Sequence, residues 1–119
     1  MRALATALVA VAMLAGCGDN SVAQPAGSIK VVLTEYQFAP STLTAPSGKV
    51  VFFLVNSGTT SHNLIIRDTA NRRVKGSDLI SAGDSNVFTV DSIAAGTYTI
   101  FCDQQGHEAS GMKGTLTIT

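Results

Sequence analysis

The sequence predicts an all-β domain, an antiparallel Greek-key sandwich or barrel of about seven or eight strands. Two observations support this prediction. β-Branched and aromatic runs recur between Ser28 and Thr119, and turn-favouring residues, mostly Gly, Pro, Asn and Ser, separate them. Six to eight such runs over about 90 residues are typical of a two-layer antiparallel fold, and a domain of this size buries enough surface for a core without disulfides.

The predicted strands are short and follow one another closely. In order, they are IKVVLT, KVVFFLV, HNLIIR, NVFTV, GTYTIFC and GTLTIT. The last two alternate Thr with larger apolar residues, which is the pattern of a strand with one buried face. The stretch from Arg67 to Gly83 is rich in polar and turn residues, so we expect a loop there with at most one helical turn.

The N-terminal residues have the pattern of an export signal. Arg2 precedes an uncharged apolar run from Ala3 to Ala15, which is shorter than the roughly 20 residues that a bilayer-spanning helix needs. The segment LAGC, ending at Cys17, resembles a bacterial lipobox, in which the cysteine becomes the lipid-modified first residue of the mature protein. The alternative is an ordinary secretory signal with a cysteine nearby. We therefore expect a lipoprotein signal peptide at 1–16.

A polar linker follows Cys17. Residues 18–27, GDNSVAQPAG, have the composition of a flexible coil. We expect 17–27 to form a lipidated, flexible tether and 28–119 to form the folded domain. The protein would then be exported to the periplasm or the cell surface and held to a membrane by its lipid, as a monomer.

The charge balance excludes one class of partner. The chain carries eight Lys and Arg against eight Asp and Glu, so it offers no strong positive field for nucleic acid. We expect no nucleic-acid binding.

Four side chains are candidate metal ligands. Cys102 ends the run GTYTIFC, four residues separate it from His107, and four more separate His107 from Met112; His62 opens the run HNLIIR. Singly, each has an ordinary explanation: a buried thiol or a disulfide to Cys17, two unremarkable histidines and a core methionine. Two imidazoles, one thiolate and a weak axial thioether together are the ligand set of a blue-copper electron-transfer site.

From about Tyr36 to Thr119 the sequence resembles the cupredoxin family of small blue copper proteins. The segments FAPSTLTAPSGKVVFFLVNSGTTSHNLII and IAAGTYTIFCDQQGHEASGMKGTLTI carry the resemblance. It implies a single copper ion that cycles between Cu(I) and Cu(II), with Cys102 as the thiolate ligand, His62 and His107 as imidazole ligands and Met112 as the axial ligand. It also implies that the ring edge of His107 is where electrons enter and leave.

The resemblance extends to residues next to the ligands, with some departures. It implies that Asn63 fastens the segment of the first histidine to the cysteine loop, which would keep the site rigid. Asp103 stands where Ser, Thr or Asn is frequent, and Gln105 stands where relatives with this loop commonly have proline. An inward-pointing Asp103 carboxylate would favour Cu(II), and Glu108 would add a negative charge beside His107.

The preferred function is that of a mononuclear blue copper protein that carries one electron at the outer face of a membrane. Its donor and acceptor would be redox proteins of the cytochrome or oxidase type, bound transiently. The alternative is an extracytoplasmic copper-binding or delivery protein with the same ligands. An enzyme is not expected, because two histidines cannot also build the second copper centre of a copper oxidase. Zinc could bind the same Cys and His residues, although a thioether would be unusual for it.

Overall fold

Nine strands in two sheets make up the computed structural model, which describes residues 22–119. The predicted signal peptide, Cys17 and the first part of the predicted tether lie outside the described residues. The strands are β1 (Ile29–Thr34), β2 (Gln37–Ala39), β3 (Thr42–Ala45), β4 (Gly48–Asn56), β5 (Ile65–Arg67), β6 (Arg73–Gly76), β7 (Ser85–Ile93), β8 (Gly96–Phe101) and β9 (Lys113–Ile118). No helix occurs between residues 22 and 119, and accordingly none there is long and apolar enough to cross a membrane.

The two sheets are mixed. One has the strand order β2-β1-β4-β7 and the other β3-β9-β8-β5-β6. The predicted all-β sandwich is confirmed, but with nine strands and with two parallel pairs, β1 with β4 and β3 with β9. The sequence pattern missed the parallel pairs because alternation of apolar and polar residues reports which face is buried and not the direction of the neighbouring strand.

The prediction of a loop from Arg67 to Gly83 was wrong in part. Residues Arg73–Gly76 form β6, which pairs with β5 at the edge of the second sheet. Its first three residues are exposed, so it carries no apolar alternation that would have marked it as a strand. Charged residues on such an edge also oppose pairing with another chain. The start of the predicted strand HNLIIR differs too, since β5 begins at Ile65 and His62 forms only an isolated bridge to Ile80.

The core lies between the two sheets. Alternate residues of β1 and β4 point inward, and Val31, Leu33, Phe52 and Leu54 are fully buried. The facing sheet contributes a matching set, which consists of Leu43, Ile66, Ile100, Leu116 and Ile118. Burying one such side chain contributes about 1.5–3 kcal/mol to folding. Cys102 and Met112 belong to the same buried cluster, so the core extends without a break to the residues that were predicted as ligands.

Candidate metal centre

The register of β5 and β8 brings two candidate ligands together. The strands are antiparallel, with Ile65 opposite Phe101. Continuing this register past the strand ends sets residue 63 opposite residue 103 and brings His62 close to Cys102. His62 is fixed by backbone hydrogen bonds to Ile80 in both directions, at 3.0 and 2.8 Å. The imidazole of His62 and the thiol of Cys102 are both fully buried.

The other two candidates lie on the loop between β8 and β9. This loop is closed by the Cys102 N–H, which donates to the Met112 carbonyl at 3.2 Å, and by the Met112 N–H, which donates to the His107 carbonyl at 3.0 Å. Gly106 and Gly111 allow the chain to turn, because their φ angles of 80° and 110° lie in the region that side-chain-bearing residues rarely adopt. Met112 is fully buried and His107 is half-buried.

Three donor atoms converge at this end of the sandwich. The Sγ of Cys102 lies 3.5 Å from Nδ1 of His107 and 4.0 Å from Nδ1 of His62, and the two Nδ1 atoms are 3.2 Å apart. An ion with bonds of about 2.0–2.1 Å to nitrogen and about 2.3 Å to sulfur separates its ligand atoms by roughly 3.3–3.8 Å. The observed separations agree with this range to within about 0.2 Å. A first-row metal ion therefore fits among the three atoms.

Asn63 and Asp103 join the two segments that carry the ligands. The side-chain amide of Asn63 donates to Oδ1 of Asp103 at 2.6 Å, and the Asp103 N–H donates back to Oδ1 of Asn63 at 3.1 Å. The Asp103 carboxylate also lies 3.8 Å from the guanidinium of Arg73. The carboxylate is thus held by Asn63 and lies near Arg73, whose positive charge compensates part of its negative charge.

An ion pair lies beside His107. Arg67 donates from Nη1 to both carboxylate oxygens of Glu108, and its guanidinium stacks 4.3 Å from the ring centre of Phe101. The predicted negative charge next to His107 is therefore paired with a positive one. On another side, the ring of Tyr36 meets His107 edge-on, with 5.1 Å between ring centres.

Glu35 is the residue that the sequence reasoning missed. Its Oε1 lies 3.0 Å from Nε2 of His62 and also accepts hydrogen bonds from the Thr60 N–H, the Thr60 hydroxyl and the Thr59 N–H. The Thr60 N–H, followed by its hydroxyl and the Thr59 N–H, lowers the pKa of Glu35 to about 2 from an ordinary value of 4.5. The only signal in the sequence was a carboxylate directly after an apolar strand, and nothing in that pattern connects it to His62.

Comparison with known proteins identifies the family. A family model described as a cupredoxin-like domain matches residues 4–118. The chain belongs to the cupredoxins. The predicted resemblance is confirmed, as is the copper cofactor: cupredoxins of the plastocyanin and auracyanin type bind one copper ion, and this chain positions His62, Cys102, His107 and Met112 as its ligands.

Individual cupredoxins and related folds agree with this assignment. The chloroplast plastocyanin of Chlamydomonas reinhardtii is 32% identical over 87 residues, which cover 69% of this chain and 58% of the plastocyanin's length. The structure of auracyanin B superposes with a TM-score of 0.68 at 26% identity and covers 82% of this chain and 92% of its own. A multicopper oxidase chain is similar in fold alone, with a TM-score of 0.61 at 20% identity over 76% of this cupredoxin and 41% of the oxidase.

Proposed function

We propose that this cupredoxin is a one-electron carrier with a mononuclear blue, type 1 copper site, tethered by a lipid at Cys17 to the outer face of a membrane. The observation that carries the proposal is the convergence of Cys102 Sγ and the Nδ1 atoms of His62 and His107 within 4.8 Å of one another. Copper held there would supply a Cu(II)/Cu(I) couple, which takes one electron from a donor and gives it to an acceptor. This thiolate and imidazole set serves both oxidation states.

The protein around these atoms favours electron transfer over chemistry on a substrate. Cys102, His62 and Met112 are fully buried, so no substrate reaches them directly. Their backbones are fixed by hydrogen bonds to Ile80 and within the ligand loop. Donor atoms held in this way keep their positions when the charge of the site changes, and little rearrangement means a low barrier for exchanging one electron.

The surface at His107 is the proposed contact with partners. His107 is half-buried, and Tyr36, which packs against it, is 45% exposed. A cytochrome-type or oxidase-type partner would meet this surface in a small, short-lived complex of under about 1,200 Å². Because the chain carries equal numbers of positive and negative side chains, the rate of electron transfer should depend only weakly on salt.

The test is a visible absorption spectrum of the purified protein during titration with Cu(II), followed by reduction with ascorbate. We expect an intense thiolate-to-copper band that disappears on reduction, returns on reoxidation and is absent in Cys102→Ser. A faint band would overturn the blue-copper assignment. A strong band with copper that leaves on reduction would favour the alternative, extracytoplasmic copper delivery with the same ligands.

A further inference from the structure

The carboxylate oxygen Oε1 of Glu35 connects the candidate ligand His62 to the loop that carries Thr59 and Thr60. Oε1 of Glu35 accepts the N–H groups of Thr59 and Thr60, each at 2.8 Å, and the Thr60 hydroxyl at 2.9 Å, and it lies 3.0 Å from Nε2 of His62. His62 is fully buried, whereas the Glu35 side chain is 24% exposed. Glu35 therefore forms the outer wall of the pocket that holds the buried imidazole.

The direction of these hydrogen bonds determines the tautomer of His62. A backbone N–H can only donate, so the Glu35 oxygen that faces Thr59 and Thr60 is an acceptor. Its contact with Nε2 of His62 then requires the imidazole proton to lie on Nε2. Nδ1 is left with a free lone pair, and this is the atom that lies near Cys102 Sγ and His107 Nδ1.

We propose that Glu35 is a positioning residue that holds His62 as the Nε2–H tautomer with Nδ1 available to copper, and that its charge favours the oxidised ion. The inference rests on the proposed copper site. A carboxylate that accepts a hydrogen bond from the ring N–H of a metal-bound histidine fixes the ring orientation and raises the basicity of the ligand. A more basic ligand and a nearby negative charge both stabilise Cu(II) relative to Cu(I).

A competing explanation gives Glu35 a role in the loop alone. Gly58 approaches the carboxylate so closely that a Cβ on it would lie 2.6 Å from both Glu35 oxygens. Glu35 could therefore serve only to order residues 57–60, with the contact to His62 as a by-product. The two explanations differ in what happens when the loop contacts are weakened and the charge is kept.

The first experiment uses the copper-free protein and measures the ¹⁵N chemical shifts of the imidazoles by NMR at a pH where both are neutral. We expect His62 to be the Nε2–H tautomer with a slowly exchanging proton, and this proton to exchange faster in Glu35→Ala. An Nδ1–H tautomer of His62 in the wild type overturns the proposal. This measurement does not depend on copper, so it decides the role of Glu35 even if the blue band of the proposed function is absent.

The second experiment measures the reduction potential of Glu35→Gln, which keeps the size of the side chain and removes its charge. Loss of such an outer partner weakens metal binding about 10- to 100-fold. If the loss falls mainly on Cu(II), the preference for Cu(II) over Cu(I) drops about 10- to 100-fold, which for a one-electron couple is a rise of about 59–118 mV.

Two matched controls separate charge from loop order. Thr60→Val removes the hydroxyl contact to Glu35 and keeps the carboxylate, so we expect lower stability and a nearly unchanged potential. Asp91→Asn removes the same charge from an exposed position on β7 and should also leave the potential unchanged. A potential of Glu35→Gln equal to that of the wild type, or a shift that Thr60→Val reproduces, overturns the proposal.

Discussion

Replacing Asn63 with alanine measures how strongly the two ligand-bearing segments hold each other. The change removes two hydrogen bonds, the 2.6 Å bond to Oδ1 of Asp103 and the 3.1 Å bond from the Asp103 N–H. Asn63 is only 6% exposed, so water replaces these bonds poorly. A neutral hydrogen bond contributes about 1 kcal/mol and one to a charged group about 1.5–3 kcal/mol.

The lower end of the second range applies because the Asp103 carboxylate is 38% exposed and also accepts a hydrogen bond from Gln104. We therefore expect Asn63→Ala to lower the free energy of unfolding by about 2–3 kcal/mol. In a domain of about 100 residues this corresponds to a fall in Tm of roughly 10–20 °C. The assay is thermal unfolding of the copper-free protein, followed by circular dichroism.

Two further variants define the outcome. Asn63→Asp should lower the free energy of unfolding at pH 7 more than Asn63→Ala does, because it places a second carboxylate next to that of Asp103. Asn86→Ala, on β7 at the edge of the sheet β2-β1-β4-β7, should lower the free energy of unfolding less than either. A loss below about 0.5 kcal/mol for Asn63→Ala, the range of ordinary surface substitutions, would show that Asn63 does not hold the two segments together.

Three other changes test the fold around the site. Gly114→Ala should destabilise the protein by about 1–3 kcal/mol or more, because the new Cβ would overlap the Ser41 carbonyl oxygen; a urea midpoint equal to that of the wild type would contradict this. Phe52→Ala, at a fully buried core position, should cost about 3–5 kcal/mol in the same assay. The Arg72 N–H is the main cause that lowers the pKa of Asp68 below its ordinary 3.8, so Asp68 stabilises the fold above that pH and ceases to do so as the pH falls through the lowered value. The unfolding free energies of the wild type and Asp68→Asn should thus differ at pH 7 and converge in acid; a constant difference would contradict this assignment.

The strands that sequence reasoning predicted are those with one strongly apolar face. Phe52 lies in the continuous apolar run of β4 and Leu116 in the alternating pattern of β9, and each is fully buried. The strand β6 has no apolar face, so the sequence predicted a loop there. In the structure it is held by pairing with β5 at the edge of the sheet and not by burial. Short edge strands of this kind depend on tertiary pairing, which a local pattern does not record.

The candidate ligands could be selected from the sequence because sulfur and imidazole groups are few in this chain. Together, a thiol, a thioether and two imidazoles indicate copper even before the fold brings them together. Glu35 has no such distinction among the eight acidic residues. Its contact with His62 joins residues 27 positions apart and arises because β1 pairs in parallel with β4. That pairing brings the turn after β1 to the same end of the sandwich as the segment that follows β4.

The same turn reaches both imidazoles, through Glu35 at His62 and through Tyr36 at His107. The two contacts differ in chemistry. A charged oxygen against the buried ring orients a ligand and lowers the potential, whereas an aromatic edge against the half-buried ring adds apolar surface where a partner would contact it. Substitutions at Glu35 should therefore change the potential and leave partner binding nearly unaltered, and substitutions at Tyr36 should do the reverse. Measuring the potential and the affinity for a redox partner in Glu35→Gln and Tyr36→Ala separates the two effects, and a parallel change of both quantities in both variants would show that the turn acts as one structural unit.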